Sequence, residues 1–257
     1  MQQAYPQLRG KPVGITPFET ETDYTVIITC SKEAKARGVK NVMKKPEARR
    51  LCPDMIFVPQ EPDLFRRAHN ALCCAIHSVI PIDVRKSIDE LAYRLDRNDI
   101  ADPLELTARI KLAIAEDVGK HITCSIGFGP NRDIAKIACK IDKPNGVTIW
   151  RPDKLSDILY PLPFDDILGI GGRMQVRLWK AGLYNMKALL STDPKQMRKL
   201  WGNVTGERLW HALHGYAIKA TLSSIGLFFG GLIPADMRQL DLLQINASAP
   251  CQSQISR

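Results

Sequence analysis

The sequence predicts an α+β protein in which helices pack on one face of a mainly antiparallel sheet. Between about Ile82 and Trp150 the patterns run extended, extended, helix, strand, helix, strand, and after Trp150 the chain becomes helical with short loops. Hydrophobic residues make up 45% and charged residues 25% of the 257 positions, which is typical of a globular protein. That length suffices for one large domain or for two to three small ones.

The spacing of apolar residues and the residues typical of element ends predict the individual helices and strands. Apolar residues at helical spacing, together with N-caps and terminal glycines, predict helices over 63–79, 102–119 and 131–141, the last of them capped by Asn131. Runs rich in β-branched residues predict strands over 24–30, 121–128 and 146–150. Residues 80–96 alternate loosely and indicate extended chain. The final stretch, 239–257, shows no sustained periodicity, and we expect it to be loose.

Charge and cysteine usage narrow the class of protein. The net charge of +9 favours polyanionic partners, with nucleic acid first and an anionic membrane surface second. The basic run 32–50 is either a solvated helix face or a surface that contacts phosphates. The seven cysteines form no CxxC pair, which indicates reduced thiols rather than a disulfide framework or a zinc site. Without a signal peptide or a run of transmembrane length, we expect a cytoplasmic protein with no membrane partner.

The stretch "RKSIDELAYRLD" places two acids, Asp89 and Glu90, side by side between strand-like segments. Adjacent carboxylates repel each other and are costly to desolvate, so they need a positive partner unless both are solvated in a surface turn. Mg²⁺ suits an all-oxygen site, and a pair of such ions can bind a triphosphate and activate an attacking hydroxyl. Two acids seldom suffice for two ions, so we expect a further carboxylate. A nuclease or a nucleotide cyclase could use the same pair.

A second stretch, "LPFDDILGIGGRMQVRLWKAGL", joins two helix-like segments through Gly169, Gly171 and Gly172. Its spacing matches a helix-hairpin-helix, in which exposed N–H groups and nearby cations grip the nucleic-acid backbone without reading sequence. The cations that follow the glycines here are Arg173 and Arg177. A plain turn between two helices is the alternative.

A third stretch ends in the loop "DKPNG", which presents Lys143 on a rigid turn. The glycines before it are too few for a dinucleotide fingerprint, and Pro130 follows Gly129 directly. Lys143 is either a solvated lysine or, if it faces the acidic pair, a contact to a triphosphate.

Together these stretches resemble the Y-family DNA polymerases, the lesion-bypass enzymes of the DNA polymerase IV and UmuC type. The resemblance rests on "SIDE", "CSIGFGPNRDIAKIACKIDKPNGV", "ILGIGGRMQVRLWKAGL", "TCSKEAKARGVK" and "EARRLCPD". It extends from "QLRGKPVGI" to "SSIGLFFGGLIPADMR" and so covers nearly all of residues 1–238. Several ordered motifs at family-like spacing are more specific than any one of them alone.

The resemblance implies a palm with an antiparallel, ferredoxin-like sheet and helices on one face, a small fingers subdomain, and a helical thumb with a helix-hairpin-helix. The implied boundaries are fingers at 1–60 without the first palm strand, palm at 61–150, thumb at 151–217, and the remnant start of a little finger with a loose tail at 218–257.

The resemblance also implies residue roles. Asp89 and Glu90 match the paired acids: Asp89 would bind two Mg²⁺ ions, and Glu90 would ligate the catalytic ion near the primer 3′-hydroxyl. Lys32 stands where tyrosine is common, and Lys35 replaces a usual arginine, which keeps the charge but loses the bidentate fork. The positions that match contacts to the incoming triphosphate are Thr29, Lys32, Lys35 and Lys143. Those that match contacts to the DNA backbone are Gly169, Gly171, Gly172, Arg173 and Arg177.

The implied activity is template-directed DNA synthesis in damage tolerance, with primer-template DNA and deoxynucleoside triphosphates as partners. In the family, a strand that bears an aspartate precedes the "LRGKPV" segment and a little finger follows "SSIG". We recognise neither here, so we expect the chain to be truncated at both ends and impaired or inactive. A non-catalytic DNA-binding adaptor derived from such a polymerase is the alternative. We expect a monomer; a sliding clamp is a candidate partner, although no clamp-binding peptide stands out in the tail.

Overall fold

The computed structural model describes residues 1–19 and 24–217 and the backbone of residues 242–248. Helices and strands are mixed in both of its compact units, which confirms the predicted α+β class. One unit comprises Met1–Ala75 with Ile114–Ile122, and the other comprises Ile76–Ala113 with Thr123–Ser248. The division into fingers, palm and thumb stays a prediction.

The first unit is built on small sheets. Its strands and helices are β1 (Val13–Thr16), β2 (Val26–Ile27), β3 (Thr29–Cys30), α1 (Lys32–Ala36), β4 (Met43–Lys44), α2 (Lys45–Leu51), β5 (Ile56–Pro59) and α3 (Pro62–His77), which ends in the second unit. β1 lies between an antiparallel β3 and a parallel β5, and β2 pairs with β4. The single strand predicted over 24–30 is therefore interrupted at Ile28, whose N–H donates to the Ile15 carbonyl at 2.8 Å.

The second unit contains the larger sheet and a helical region. Its elements are β6 (Val84–Arg85), β7 (Glu90–Arg94), α4 (Arg97–Ala101), α5 (Pro103–Asp117), β8 (Thr123–Gly129), α6 (Arg132–Ile141), β9 (Val147–Ile149), α7 (Leu155–Leu159), α8 (Gly172–Lys180), α9 (Met186–Leu190), α10 (Pro194–Trp201), α11 (Val204–Leu213) and β10 (Leu242–Ser248). The sheet order is β6-β7-β10-β8-β9, with only the β8–β9 pair parallel. The predicted order from 82 to 150 is confirmed.

Helix α6 packs closely on β8 because two glycines in that strand leave room for it. A Cβ at Gly127 would lie 2.2 Å from the Ala135 carbonyl oxygen, and one at Gly129 would lie 2.7 Å from the Ala135 nitrogen. Ile134 and Ile137 of α6 also belong to a buried cluster shared with the helices after Trp150. Helix α6 thus connects the sheet with the helical region inside one unit.

The expectation that the tail is loose was wrong for seven residues. Leu242–Ser248 forms β10, an inner strand of the larger sheet, hydrogen-bonded to β7 on one side and to β8 on the other. The rest of the tail, residues 239–241 and 249–257, lies outside the described residues, as does the "SSIGLFFGGLIPADMR" motif.

Candidate active site and nucleic-acid interface

The paired acids lie on a tight hairpin between β6 and β7. The N–H groups of Lys86 and Ser87 both donate to the Glu90 carbonyl oxygen, at 2.8 and 3.2 Å. The Ser87 hydroxyl donates to Asp89 Oδ1 at 2.6 Å. Asp89 therefore ends the turn with its carboxylate partly exposed, and Glu90 begins strand β7.

The positive partner of the pair is a lysine that sequence reasoning did not single out. Lys136 Nζ on α6 lies 2.7 Å from Glu90 Oε2, and the two side chains are 36% and 20% exposed. The two residues are 46 positions apart in the sequence, so no local sequence pattern predicts their contact. It depends on the close approach of α6 to β8, which brings the helix over the sheet.

Glu90 lies in a group of charges of both signs. The pKa of Lys86 is lowered, first by partial burial and then by the neighbouring charge of Arg132, with Lys136 adding to the effect. Asp133 and Glu90 act on Lys86 in the opposite direction. Counting the adjacent Asp89, this group holds three cations and three acids, so it offers positive partners for an anionic ligand beside carboxylates for a cation.

The loop that presents Lys143 is held by contacts from both sides. Lys111 Nζ donates to the Asn145 carbonyl oxygen at 2.5 Å, and the Val147 N–H donates to Asp142 Oδ2 at 3.3 Å. Asn145 has φ +65°, a left-handed conformation that asparagine tolerates better than most residues. Lys143 itself is exposed. The turn was predicted from the sequence, but the hydrogen bond from Lys111, 34 positions away from Asn145, was not.

Three of the predicted triphosphate contacts lie in the first unit. Thr29 is an exposed residue of β3, and Lys32 and Lys35 are exposed residues of α1, whose N-cap Ser31 accepts a hydrogen bond from the Ala34 N–H at 3.4 Å. Asp89, Glu90 and Lys143 belong to the second unit. Each of the two predicted groups is thus held within one unit.

The glycine hairpin precedes α8. A 3₁₀ turn at Phe164–Asp166 stands where a first helix was predicted, Gly169 has φ +84°, and Gly171 is the N-cap. Gly171, Gly172 and Arg173 are exposed. The assignment as a helix-hairpin-helix stays a prediction.

Arg177 differs from Arg173 in its contacts. Its Nη1 donates to the Leu200 carbonyl oxygen at 3.0 Å, at the end of α10. One N–H group of the Arg177 guanidinium is therefore engaged within the protein. This makes Arg177 less available than Arg173 for a contact to DNA.

A protein-family model matches more than half of the chain. The impB/mucB/samB family model (IMS) matches residues 1–140, which include the acidic pair. The chain belongs to the impB/mucB/samB family.

Relatives of this family member carry consistent names. It is 33% identical to DNA polymerase IV 1 of Bacillus subtilis over 219 residues, which are 84% of this chain and 51% of the relative. It is 34% identical to DNA polymerase IV of Moorella thermoacetica over 213 residues, 82% of this chain and 52% of that protein. The family member spans about half the length of these curated relatives.

Solved structures agree with the sequence relatives. The insertion ternary complex of Dbh DNA polymerase superposes with a TM-score of 0.73 at 28% identity, covering 85% of this chain and 64% of the other. DinB from Sulfolobus solfataricus superposes with a TM-score of 0.70 at 28% identity, covering 82% and 61%. The resemblance to the Y-family DNA polymerases and its palm-and-fingers fold is confirmed.

The donor atoms at the hairpin fit a hard divalent cation. Asp89 and Glu90 supply carboxylate oxygens, which Mg²⁺ prefers. Within the described residues, however, no third acidic, histidine or cysteine side chain joins them in a group that could hold a metal ion.

No helix in the described part of the chain is long and apolar enough to cross a membrane.

Proposed function

We propose that this impB/mucB/samB family member is a template-directed DNA polymerase of damage tolerance that works by metal-assisted nucleotidyl transfer. The observation that carries the proposal is the acidic hairpin, in which two carboxylates are fixed at the start of an inner sheet strand within the region that the family model matches. Primer-template DNA and deoxynucleoside triphosphates are the proposed partners. We also propose that the protein acts as a monomer in the cytoplasm.

Asp89 and Glu90 would hold Mg²⁺, as two ions in the complete reaction. When bound, the metal would lower the pKa of the attacking primer hydroxyl and neutralise charge on the transferred phosphate. Asp89 is the more available ligand because its partner here is the neutral Ser87 hydroxyl rather than a cation. Glu90 is held in place by Lys136, so it must exchange or share that cation when it ligates a metal.

The lysines would bind the triphosphate. Lys143, on its braced loop, and Lys32 and Lys35, on α1, supply positive charge without a fixed fork, so they bind phosphate oxygens as point charges. Thr29 would add a hydroxyl hydrogen bond. The glycine N–H groups and Arg173 would contact the DNA backbone, which fixes position without reading sequence.

The absence of a third acid among the described residues supports slow synthesis. Removing one carboxylate from a metal site takes away charge stabilisation worth several kcal/mol in the transition state. The same observation, together with the Glu90–Lys136 ion pair, favours the second candidate, a non-catalytic DNA-binding adaptor.

Primer extension and DNA binding distinguish the two candidates. The wild-type chain, the double variant Asp89→Ala/Glu90→Ala and the control Asp157→Asn, an exposed acid on α7, would be compared with Mg²⁺ and all four nucleotides. The polymerase proposal expects extension by the wild type and the control but not by the double variant. Equal DNA binding by all three with no extension by any of them would establish the adaptor instead.

A further inference from the structure

Strand β10 reaches the larger sheet from a distant part of the chain. The other four strands of that sheet lie between Val84 and Ile149, whereas β10 begins at Leu242. It is nevertheless an inner strand, paired antiparallel with β7 from Leu242 to Asn246 and with β8 from Leu242 to Ser248. Without it, the described sheet divides into the pairs β6–β7 and β8–β9.

The edges of β7 and β8 that face β10 need a partner strand. Each carries backbone N–H and C=O groups that cost free energy when they are buried and unpaired. These strands are deeply buried: Leu91, Tyr93, Ile126 and Phe128 are at most 1% exposed. Two facing open edges in an apolar setting form a template for one added strand.

The register shows which sequence such a strand needs. Leu243 is paired in register with Tyr93 and Phe128, and Ile245 with Leu91 and Ile126, so these two positions share one face of the sheet with apolar residues of β7 and β8. The positions between them belong to the other face, which α6 covers. The sequence "LQIN" alternates accordingly.

On that second face, Asn246 is paired in register with Glu90 on β7 and with Ser125 on β8. Directly opposed residues of antiparallel strands project to the same face and lie within contact distance of each other. Asn246 therefore holds the register position opposite an acid of the candidate active site.

We propose that the slot between β7 and β8 is a strand-binding site, that the chain's own Leu242–Ser248 segment fills it, and that the occupant determines which residue stands beside Glu90. The chemistry recognised is one antiparallel strand of seven residues with apolar side chains at the Leu243 and Ile245 positions. This inference does not depend on polymerase activity.

Cysteine cross-linking in the full-length protein tests the occupant and its register together. In Glu90→Cys/Asn246→Cys, directly opposed residues meet the Cα separation that a disulfide requires. In the control, Glu90→Cys/Ile245→Cys, a shift of one residue moves the second thiol to the other face. After oxidation with copper phenanthroline, mass spectrometry of peptides should show at least about tenfold more intramolecular disulfide in the first variant, because of that change of face. Equal yields in the two variants would overturn the proposal.

A second pair covers the case in which Glu90 variants fail to fold. Arg94→Cys/Leu242→Cys joins the other end of the paired segment, where Arg94 is exposed, and Arg94→Cys/Leu243→Cys is its control. The same preference is expected here, and a synthetic peptide of sequence LLQINAS should lower the intramolecular yield by competing for the slot. A disulfide between two chains would show that a second copy fills the slot, which would contradict the assignment of this segment as the occupant.

Discussion

At the scale of residues, the structure answers how two adjacent acids are kept together. Glu90 is compensated by Lys136, and Asp89, in the turn before the strand, accepts a hydrogen bond from the Ser87 hydroxyl. The sequence predicted that a positive partner was needed, but not which one. Lys136 is one of many lysines on a basic chain, and only the packing of α6 on Gly127 distinguishes it.

Replacing Lys136 tests whether it competes with a metal for Glu90. Lys136→Met removes an ammonium that binds Glu90 Oε2 and repels any nearby cation. We expect Mn²⁺, used as a probe for Mg²⁺, to bind several-fold more tightly, as measured by titration with electron paramagnetic resonance.

Lys140→Met is the matched control for this measurement. Lys140 lies one turn further along α6 and forms a comparable ion pair, with Asp166 at 2.9 Å. Its loss should leave Mn²⁺ affinity unchanged. Unchanged or weaker binding in Lys136→Met would mean that the ammonium does not compete for the acids.

Among the secondary-structure elements, helices α3, α5 and α6 could be predicted from their periodicity and their ends. Strand β10 of the larger sheet could not be predicted. Asn131 caps α6 as predicted, through a hydrogen bond from the Ile134 N–H at 2.9 Å. Caps and apolar periodicity are local signals, so they can be found in sequence. The seven residues of β10 contain one β-branched residue, Ile245, so their composition does not indicate a strand, and their partners are more than a hundred positions away. Only the facing edges of β7 and β8 specify them.

Asn131 also connects two elements, and its replacement should show this. Its Nδ2 donates to the carbonyl oxygens of Ala212 and Tyr216, at 2.8 and 3.2 Å, and it is 4% exposed. Asn131→Ala removes the cap and leaves two carbonyls without that donor. We expect it to lower the free energy of unfolding by about 2–4 kcal/mol in urea titrations.

Asn185 provides the comparison because it caps α9 only through the Ala188 N–H, at 2.9 Å. Asn185→Ala should cost about 1 kcal/mol, the usual value of a cap. Asn131→Asp, which keeps the accepting oxygen but cannot donate, should fall closer to Asn131→Ala. Equal losses for the two alanine variants would show that the link between α6 and the chain after α11 contributes nothing.

For the molecule as a whole, the family could be recognised because several short motifs occur in the family's order and at family-like spacing. The pairing of residues across the chain could not be predicted from the sequence, since Lys111 and Lys136 form hydrogen bonds with residues that are distant in sequence and come together only on folding. The net charge of +9 is, by contrast, a property of the whole chain and is readable at once.

That charge predicts steeply salt-dependent DNA binding. Contacts to phosphates release counterions, so affinity should fall linearly on a logarithmic salt scale, with a slope of about −0.9 per neutralised phosphate. Arg173→Ala should reduce the magnitude of the slope by about one unit, as measured by fluorescence anisotropy with duplex DNA. Arg66→Ala, which removes a cation already paired with Asp63, should leave the slope unchanged. An affinity that barely responds to salt would contradict binding through the phosphate backbone.

Single-turnover incorporation of one nucleotide shows whether the acidic hairpin is a catalytic metal site. The wild-type chain and Asp89→Asn would be compared at saturating Mg²⁺ on the same primer-template. Asp89→Asn keeps the shape and the hydrogen-bond acceptor for Ser87 but removes the charge. We expect a wild-type rate at least about 10² times higher, since a ligand of the catalytic metal acts on transition-state charge. Equal rates in the two proteins would contradict it.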